Sequence, residues 1–263
     1  MACKPLPILS NMPWHIQQKI AGFTDPYTQM NLQLCCKDLQ KVVDKAPSVY
    51  EALEIYLRTK KIELVITSKF PGSVRQRRFS IFFEESGQKV LITKRSCGIE
   101  RRVEVQGNFL DESVKYLEKI FYKTPRSLVA VRKAGLYLYR GDYRTEFIRK
   151  FQKLSVLGLL HIKNAELHMY TDQIASVLRN FHPGTLQAIT LMCFKVGHPE
   201  ILIPEVTVLE QWKKAQKFTC LCSGFSEPYD TWKHLEVEAL QISYLSLAVL
   251  KDIIQVHLKT TET

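Results

Sequence analysis

Apolar side chains in the first fifty residues recur every three to four positions, which predicts a compact set of two or three short helices. Met12, Ile16, Ile20 and Phe23 form the first stripe, with Pro13 where a first helical turn tolerates proline. A second helix is expected after Asp25-Pro26, and a further stripe comprises Leu32, Cys35, Cys36, Leu39, Val42 and Val43. So short a segment buries little apolar surface, and we expect it to need another surface, either the rest of this chain or a separate protein.

This segment resembles an F-box in its proline-led start, its first apolar helix and its later Cys-basic element. The residues that carry the resemblance are Met12-Pro13, Ile16, Lys19-Ile20, Phe23, Asp25-Pro26, Leu32, Cys36-Lys37, Leu39 and Val42-Val43. The sequence departs from the family pattern at His15, Thr24 and Leu39. The alternative is an ordinary N-terminal helical hairpin.

The F-box resemblance implies binding to a Skp-type adaptor and, through that adaptor, to a cullin-RING ubiquitin ligase. An apolar helix of this kind presents anchor side chains to a groove on its partner. Some of these side chains must instead hold the core of the helical set itself. The residues expected to contact the adaptor are Met12, Pro13, Ile16, Ile20, Leu32 and Cys36.

The period then changes to two, which predicts antiparallel strands. A short helix is expected over residues 50–57. After it, short β-rich runs (KKIELVITS, RRFSIFFEE, KVLITKR and RRVEVQG) are separated by the turn signals PGS, ESGQ and SCG. We therefore predict a meander of antiparallel strands.

The C-terminal half alternates between helical and strand-like segments. We predict helices over residues 108–123, 146–151, 172–181, 206–216 and 245–258, and strands within 128–139 and over 159–162, 186–191, 218–222 and 235–242. Parallel strands joined by helices are the economical topology for such units. The pattern favours a leucine-rich-repeat-like solenoid, with a closed α/β globule as the alternative.

This half is similar to the FTH domain, which follows the F-box in a nematode-expanded group of F-box proteins. The similarity rests on Leu209-Glu210-Gln211-Trp212-Lys213-Lys214-Ala215, on Pro183-Gly184-x-Leu186 and on His234-Leu235-Glu236. It implies that the C-terminal domain binds other proteins, presumed to be substrates. We predict an F-box at residues 5–48, a β-rich connecting region at 49–124 and an FTH-like interaction domain at 125–263, in a mixed α/β fold.

Composition narrows the class of protein further. The hydrophobic content of 46% is typical of a globular chain, and no apolar run reaches the length of a membrane span. Because the first ten residues lack the apolar core of a secretory signal, we expect an intracellular location, cytoplasmic or nuclear. The seven cysteines form no disulfide framework, and we expect small, reduced and mostly buried side chains.

No motif for catalysis, nucleotide binding or metal binding occurs, so we expect no enzyme activity and no cofactor. We expect Trp212 to be a core residue. Residues 58–102 carry twelve basic and four acidic side chains among several phenylalanines, a pattern that nucleic-acid-binding proteins also use. We expect instead a solvated basic face with a core of phenylalanine side chains beneath it.

The sequence therefore predicts a non-catalytic, substrate-recruiting subunit of an SCF-type ubiquitin ligase. The alternatives are an interaction module outside such ligases and a nucleic-acid-binding protein.

Overall fold

The computed structural model describes residues 12–24, 37, 41–42, 48–69, 76–96, 98–121, 129–138, 142–194, 203–221, 227, 229–240 and 251. The helices are α1 (Trp14–Phe23), α2 (Phe109–Phe121), α3 (Arg144–Gln152), α4 (Thr171–Leu178), α5 (Pro204–Thr207) and α6 (Glu210–Lys214). The strands are β1 (Ser48–Arg58), β2 (Lys61–Lys69), β3 (Gln76–Ser86), β4 (Lys89–Ser96), β5 (Ile99–Gln106), β6 (Val129–Tyr137), β7 (His161–Tyr170), β8 (Ala188–Phe194), β9 (Lys217–Cys220) and β10 (Glu236–Leu240). The mixed α/β class is as predicted.

All ten strands form one sheet in the order β10-β9-β8-β7-β6-β1-β2-β3-β4-β5. Strands β1 to β5 are an antiparallel meander, as predicted. Strand β1 also pairs in parallel with β6, and β6 to β10 are parallel throughout. The boundary that we predict between residues 124 and 125 therefore falls inside one continuous sheet.

Tight turns set the registers of the meander. Ser86 pairs with Lys89 and Ser96 with Ile99, so two residues connect each pair of strands. Gly87 has a φ of 63° and Gly98 a φ of 79°. Two-residue hairpins need such positive φ angles, which glycine adopts without strain.

The prediction of a helix over residues 50–57 is wrong, because this segment is β1, near the middle of the sheet. Its Ala, Leu and Glu residues favour a helix in isolation. However, Leu53, Ile55 and Leu57 are buried at alternate positions. Burial on one face of a sheet between two neighbouring strands overrides the weak helical propensity.

The strand-helix alternation of the C-terminal half is confirmed, with three changes. Strand β7 continues to Tyr170, far beyond the predicted end at 162, and the helix predicted over 206–216 is two short helices, α5 and α6. The strand predicted over 218–222 is β9, which ends at Cys220. The predicted final helix falls almost wholly outside the described residues.

One face of the sheet carries the hydrophobic core. Ile55 of β1 lies opposite Leu64 of β2 and Leu136 of β6, and Leu167 of β7 lies opposite Leu136 and Leu191 of β8. All five are buried in the same cluster. The helices between residues 109 and 214 add their apolar sides to that cluster, including Leu110, Leu117, Ile120, Phe147, Phe151, Ile174, Leu178 and Trp212. The buried position of Trp212 is as predicted.

The opposite face is different, and we call it the open face. It presents the alternate side chains of each strand, such as Glu54 and Tyr56 of β1, Tyr137 of β6, and Glu166 and His168 of β7. None of these five belongs to the core cluster. The face is not wholly solvent-exposed, since Tyr137 and His168 are 8% and 6% exposed and Glu54, Tyr56 and Glu166 are half-buried.

We expect β1 to couple the meander to the parallel strands. Ile55→Ala should lower the free energy of unfolding by about 2–5 kcal/mol, because it removes a buried side chain between two strands. It should also lower the urea midpoint that the fluorescence of Trp212 and Trp232 reports, since both are buried in the parallel half.

Thr67→Ala, on the opposite face of the neighbouring strand β2, is the control and should change the stability by less than about 1 kcal/mol. A contradictory result is one in which the tryptophan fluorescence keeps its urea midpoint in Ile55→Ala while circular dichroism shows a loss of strand structure. That result would contradict a single cooperative sheet.

Candidate partner-binding surfaces

Helix α1 and the two residues before it contain four of the six residues predicted to contact an adaptor. Pro13 is exposed at its N-terminus, and Met12, Ile16 and Ile20 are half-buried. Pro13 leaves its carbonyl to accept hydrogen bonds from the first turn, including one from the backbone N–H of Ile16 at 2.9 Å. The other two predicted residues, Leu32 and Cys36, lie outside the described residues, as does most of the predicted second helix.

The two sides of α1 differ in burial. Gln17 and Ala21, one turn apart, are 7% and 2% exposed, whereas Ile16 and Ile20 form a separate stripe about 100° around the helix and retain part of their surface. The Gln17 side chain also donates a hydrogen bond from Nε2 to the Met12 carbonyl at 2.7 Å. The chain therefore shelters one side of the helix and leaves an adjacent apolar stripe partly exposed.

The second candidate is a row of rings that crosses the centre of the open face, in which Tyr56 is half-buried and Tyr137 and His168 are buried. Tyr56 and Tyr137 stack with ring centroids 4.4 Å apart and planes at 7°, and His168 packs against Tyr137 at 4.4 Å. The three come from β1, β6 and β7, and the strand registers place each directly opposite the next. We call Tyr56, Tyr137 and His168 the aromatic row.

Glutamates on the same face fix the aromatic row. Glu166 Oε1 accepts hydrogen bonds from the Tyr137 hydroxyl at 3.1 Å and from His168 Nε2 at 2.7 Å. Glu166 Oε2 lies 2.5 Å from Lys133 Nζ. Since a carboxylate can only accept, the Nε2 nitrogen of His168 acts as the donor here. The His168 hydrogen bond, reinforced by Lys133, lowers the pKa of Glu166 to about 2.

The two tyrosines remain neutral donors. Burial raises the pKa of Tyr56 to about 12, and the neighbouring Glu54 adds to the rise. Burial, with the charge of Glu166, also raises the pKa of Tyr137. The Tyr56 hydroxyl donates to Glu54 Oε2 at 3.2 Å. Both tyrosine hydroxyls are therefore held as hydrogen-bond donors to carboxylates at the edges of the row.

Gly135 allows the Tyr137 ring to lie flat on the sheet. A Cβ at this position would be 2.6 Å from Cε2 of Tyr137 and 3.0 Å from its hydroxyl oxygen. The ring cannot simply move aside, because Tyr56 and His168 pack against it. A side chain at position 135 would therefore disturb the aromatic row.

The basic residues of the meander are largely paired with carboxylates. The pairs are Arg58 with Glu63, Lys60 with Glu85, Lys61 with Glu84, Arg78 with Glu54, Lys89 with Glu104, and both Arg95 and Arg102 with Glu100. Phe79 and Phe83 are buried on the core side, as we predict for the phenylalanine core, whereas Phe82 lies on the open face beneath Lys61 and Arg95. Pairing of this kind reduces the charge available to a nucleic-acid backbone.

The aromatic row was not predicted from the sequence. Tyr56 and Tyr137 are 81 residues apart, and the local sequence predicts a helix for the segment that contains Tyr56. The alternation of Leu53, Ile55 and Leu57 was the available signal, since it predicts a strand whose other side chains face away from the core.

Cys193 and Cys220 are buried on the core side of β8 and β9, as predicted for small apolar side chains. Within the described part of the chain, no three His, Cys, Asp or Glu side chains gather as a metal site would require. No helix of that part is long and apolar enough to span a membrane.

The geometry defines an α/β protein with a one-sided sheet and a strand-helix C-terminal half. The family model of the FTH domain matches residues 145–262, from the start of α3 onward. This confirms the similarity predicted for the C-terminal part, and it places Glu166 and His168 inside the domain and Tyr56 and Tyr137 before it. No curated protein and no solved structure matches the chain.

The pKa of Glu166 predicts an acid-dependent loss of stability. Because folding lowers this pKa from 4.5 to about 2, the stabilisation is present above pH 4.5 and is lost as the pH falls towards 2. Between these values the free energy of unfolding of Glu166→Gln should therefore fall less steeply with decreasing pH than that of the unmodified chain. Urea unfolding at a series of pH values measures this slope.

Glu205→Gln, at an exposed position in α5, is the matched control and should leave the slope unchanged. Parallel curves for Glu166→Gln and the unmodified chain would show that the Glu166 network does not hold the aromatic row.

Proposed function

We propose that this protein is a substrate-recruiting subunit of an SCF-type ubiquitin ligase. The N-terminal helical segment binds a Skp-type adaptor, and the adaptor links the chain to a cullin. The sheet and its FTH domain bind a protein target. The subunit works by holding the target near a ubiquitin-loaded enzyme and performs no chemistry itself.

The observation that carries the adaptor assignment is the partly exposed stripe of Ile16 and Ile20 on α1. A helix that served only its own core would bury its large apolar side chains first and leave polar side chains outside. Here Gln17 and Ala21 take the buried positions. Half-buried isoleucines beside an exposed Pro13 suit a helix that completes its packing in the groove of a partner.

The FTH match supports the same proposal from the other end of the chain. FTH domains follow F-boxes in the family that the sequence resembles, and the match lies C-terminal to the F-box-like segment. Order along the chain and the two resemblances together favour a ligase subunit over an interaction module of another kind.

The aromatic row is our candidate for the target-binding surface. Aromatic side chains supply contact area with little loss of conformational entropy, and those at the centre of an interface contribute most to affinity. Tyr56 and Tyr137 are already stacked and hydrogen-bonded to carboxylates before any target binds. Such pre-organisation reduces the conformational entropy that these side chains lose when a target binds.

We expect Ile16→Asp combined with Ile20→Asp to abolish co-purification with a Skp-type adaptor. Two carboxylates would have to be desolvated in the apolar groove, at a cost of several kcal/mol, which corresponds to a loss of affinity of at least about a hundredfold. Purified components and isothermal titration calorimetry provide the measurement.

The control is His15→Asp combined with Gln18→Asp, which adds the same charge to α1 away from the Ile16–Ile20 stripe. This pair should leave adaptor binding within about threefold, since charges that stay outside the groove contribute little. An adaptor that binds the isoleucine variant as tightly as the unmodified chain would overturn the assigned interface.

For the target surface, Tyr56→Ala and Gly135→Ala should each remove the same set of captured proteins. The first shortens the aromatic row and the second displaces Tyr137 through the clash described above. Quantitative mass spectrometry of affinity-purified complexes compares each variant with the unmodified chain.

Thr219→Ala, on the open face at distant β9, is the control and should keep the captured set. Adaptor binding should be unchanged in all three variants, which separates target loss from misfolding. If Tyr56→Ala and Gly135→Ala retain every protein that the Thr219→Ala variant captures, the target binds elsewhere.

A further inference from the structure

Strand β5 is the end of the described sheet, with β4 as its one neighbour in the strand order. Nearly all of its side chains are exposed, including Ile99 at 63% and Val103 at 56%. One edge of this strand therefore presents backbone N–H and C=O groups that can pair with another strand. Its exposed apolar side chains lie on the core side, where Val103 is opposite Ile92.

The charges of β5 alternate in sign on the open face. Glu100, Arg102 and Glu104 occupy successive open-face positions, because each lies opposite an open-face residue of β4. Charged edge strands usually resist pairing. An alternating series behaves differently, since a second strand can place an opposite charge against each member.

Pairing with a second copy of β5 is restricted by geometry. In an antiparallel pair the residues directly opposite each other point to the same face of the sheet. In a twofold-symmetric pair of identical strands, the numbers of opposed residues therefore sum to an even value. This leaves a small set of registers to compare.

One register forms two Arg–Glu pairs and opposes no like charges. With Val103 opposite Val103, Arg102 lies opposite Glu104 twice, Glu100 lies opposite Gln106 twice, and Arg101 lies opposite Val105. Moving by one step to centre the pair on Arg102 opposes Arg102 to itself and Glu100 to Glu104. Moving the other way opposes Glu104 to itself. Centring on Arg101 also opposes Glu100 to Arg102 and Ile99 to Val103, each twice, but it opposes Arg101 to itself and pairs fewer residues of β5.

We propose that two copies of this chain associate through antiparallel pairing of their β5 strands about a twofold axis at Val103. Each Arg102 then lies between Glu100 of its own strand, which it already contacts at 2.6 Å, and Glu104 of the other copy. The two sheets continue into one another, and both open faces point to the same side. The occupant of the edge is thus a second copy of this chain.

A charge swap tests the dimer and its register together. Arg102→Glu and Glu104→Arg should each weaken self-association by about tenfold or more, because two attractive pairs become repulsive. The double variant Arg102→Glu/Glu104→Arg restores both pairs and should return to the unmodified affinity. Sedimentation equilibrium over a concentration series measures the dissociation constants.

Mixing the two single variants provides the sharpest comparison. A chain with Arg102→Glu and a chain with Glu104→Arg are mutually complementary at both pairs, so the mixture should dimerise although each variant alone does not. Simple loss of folding in either variant cannot produce this rescue, and circular dichroism of each variant alone serves as the folding control.

A cysteine at position 103 tests the axis itself. Opposed residues of an antiparallel pair have Cα atoms about 4.5–5.5 Å apart, within the range for a disulfide. Val103→Cys should therefore give a covalent dimer on oxidation, above the background from the native cysteines, whereas Arg101→Cys should not. A chain that is monomeric at every concentration, or single variants that dimerise like the unmodified chain, would overturn the proposal. So would selective pairing of β5 with a strand of another protein.

Discussion

Burial of a single face of the ten-stranded sheet is the constraint on which the rest of this structure depends. Leucine, isoleucine and phenylalanine side chains at alternate strand positions pack under the helices between residues 109 and 214. The period of a strand forces the intervening side chains onto the other face, where they need not contribute to the core. The open face therefore holds an aromatic row, ionised glutamates and a dense set of ion pairs. A core on one side makes the face on the other side rigid, and rigidity is what a recognition surface needs.

Strand β1 lies near the centre of the sheet and joins its two halves. This strand pairs in antiparallel fashion with the meander and in parallel with the strand-helix half. The aromatic row crosses the sheet at this junction, with Tyr56 on β1 and His168 within the residues that match the FTH model. The connecting region is therefore part of the same sheet as the strand-helix half.

Local patterns were sufficient where each element buries its own periodic stripe. The meander, the helix that became α2 and the burial of Trp212 all follow from alternation or helical spacing within about fifteen residues. They were insufficient at β1, where the propensities of Ala, Leu and Glu favour a helix and only the neighbouring strands decide otherwise. Local patterns could not predict the aromatic row for the same reason. Its three rings come from distant segments. The need for glycine at position 135 follows only from the position of the Tyr137 ring, which a Cβ there would contact too closely.

The central claim is that the chain carries two separate surfaces, one on α1 for an adaptor and one on the open face for a target. Hydrogen exchange of the full chain, free and in complex with a purified Skp-type adaptor, tests this claim most directly. Our account predicts slower exchange confined to the N-terminal helical segment, including residues 12–24, with the amides of β6 and β7 unchanged. Protection of β6 and β7 by the adaptor, with no protection of α1, would contradict it.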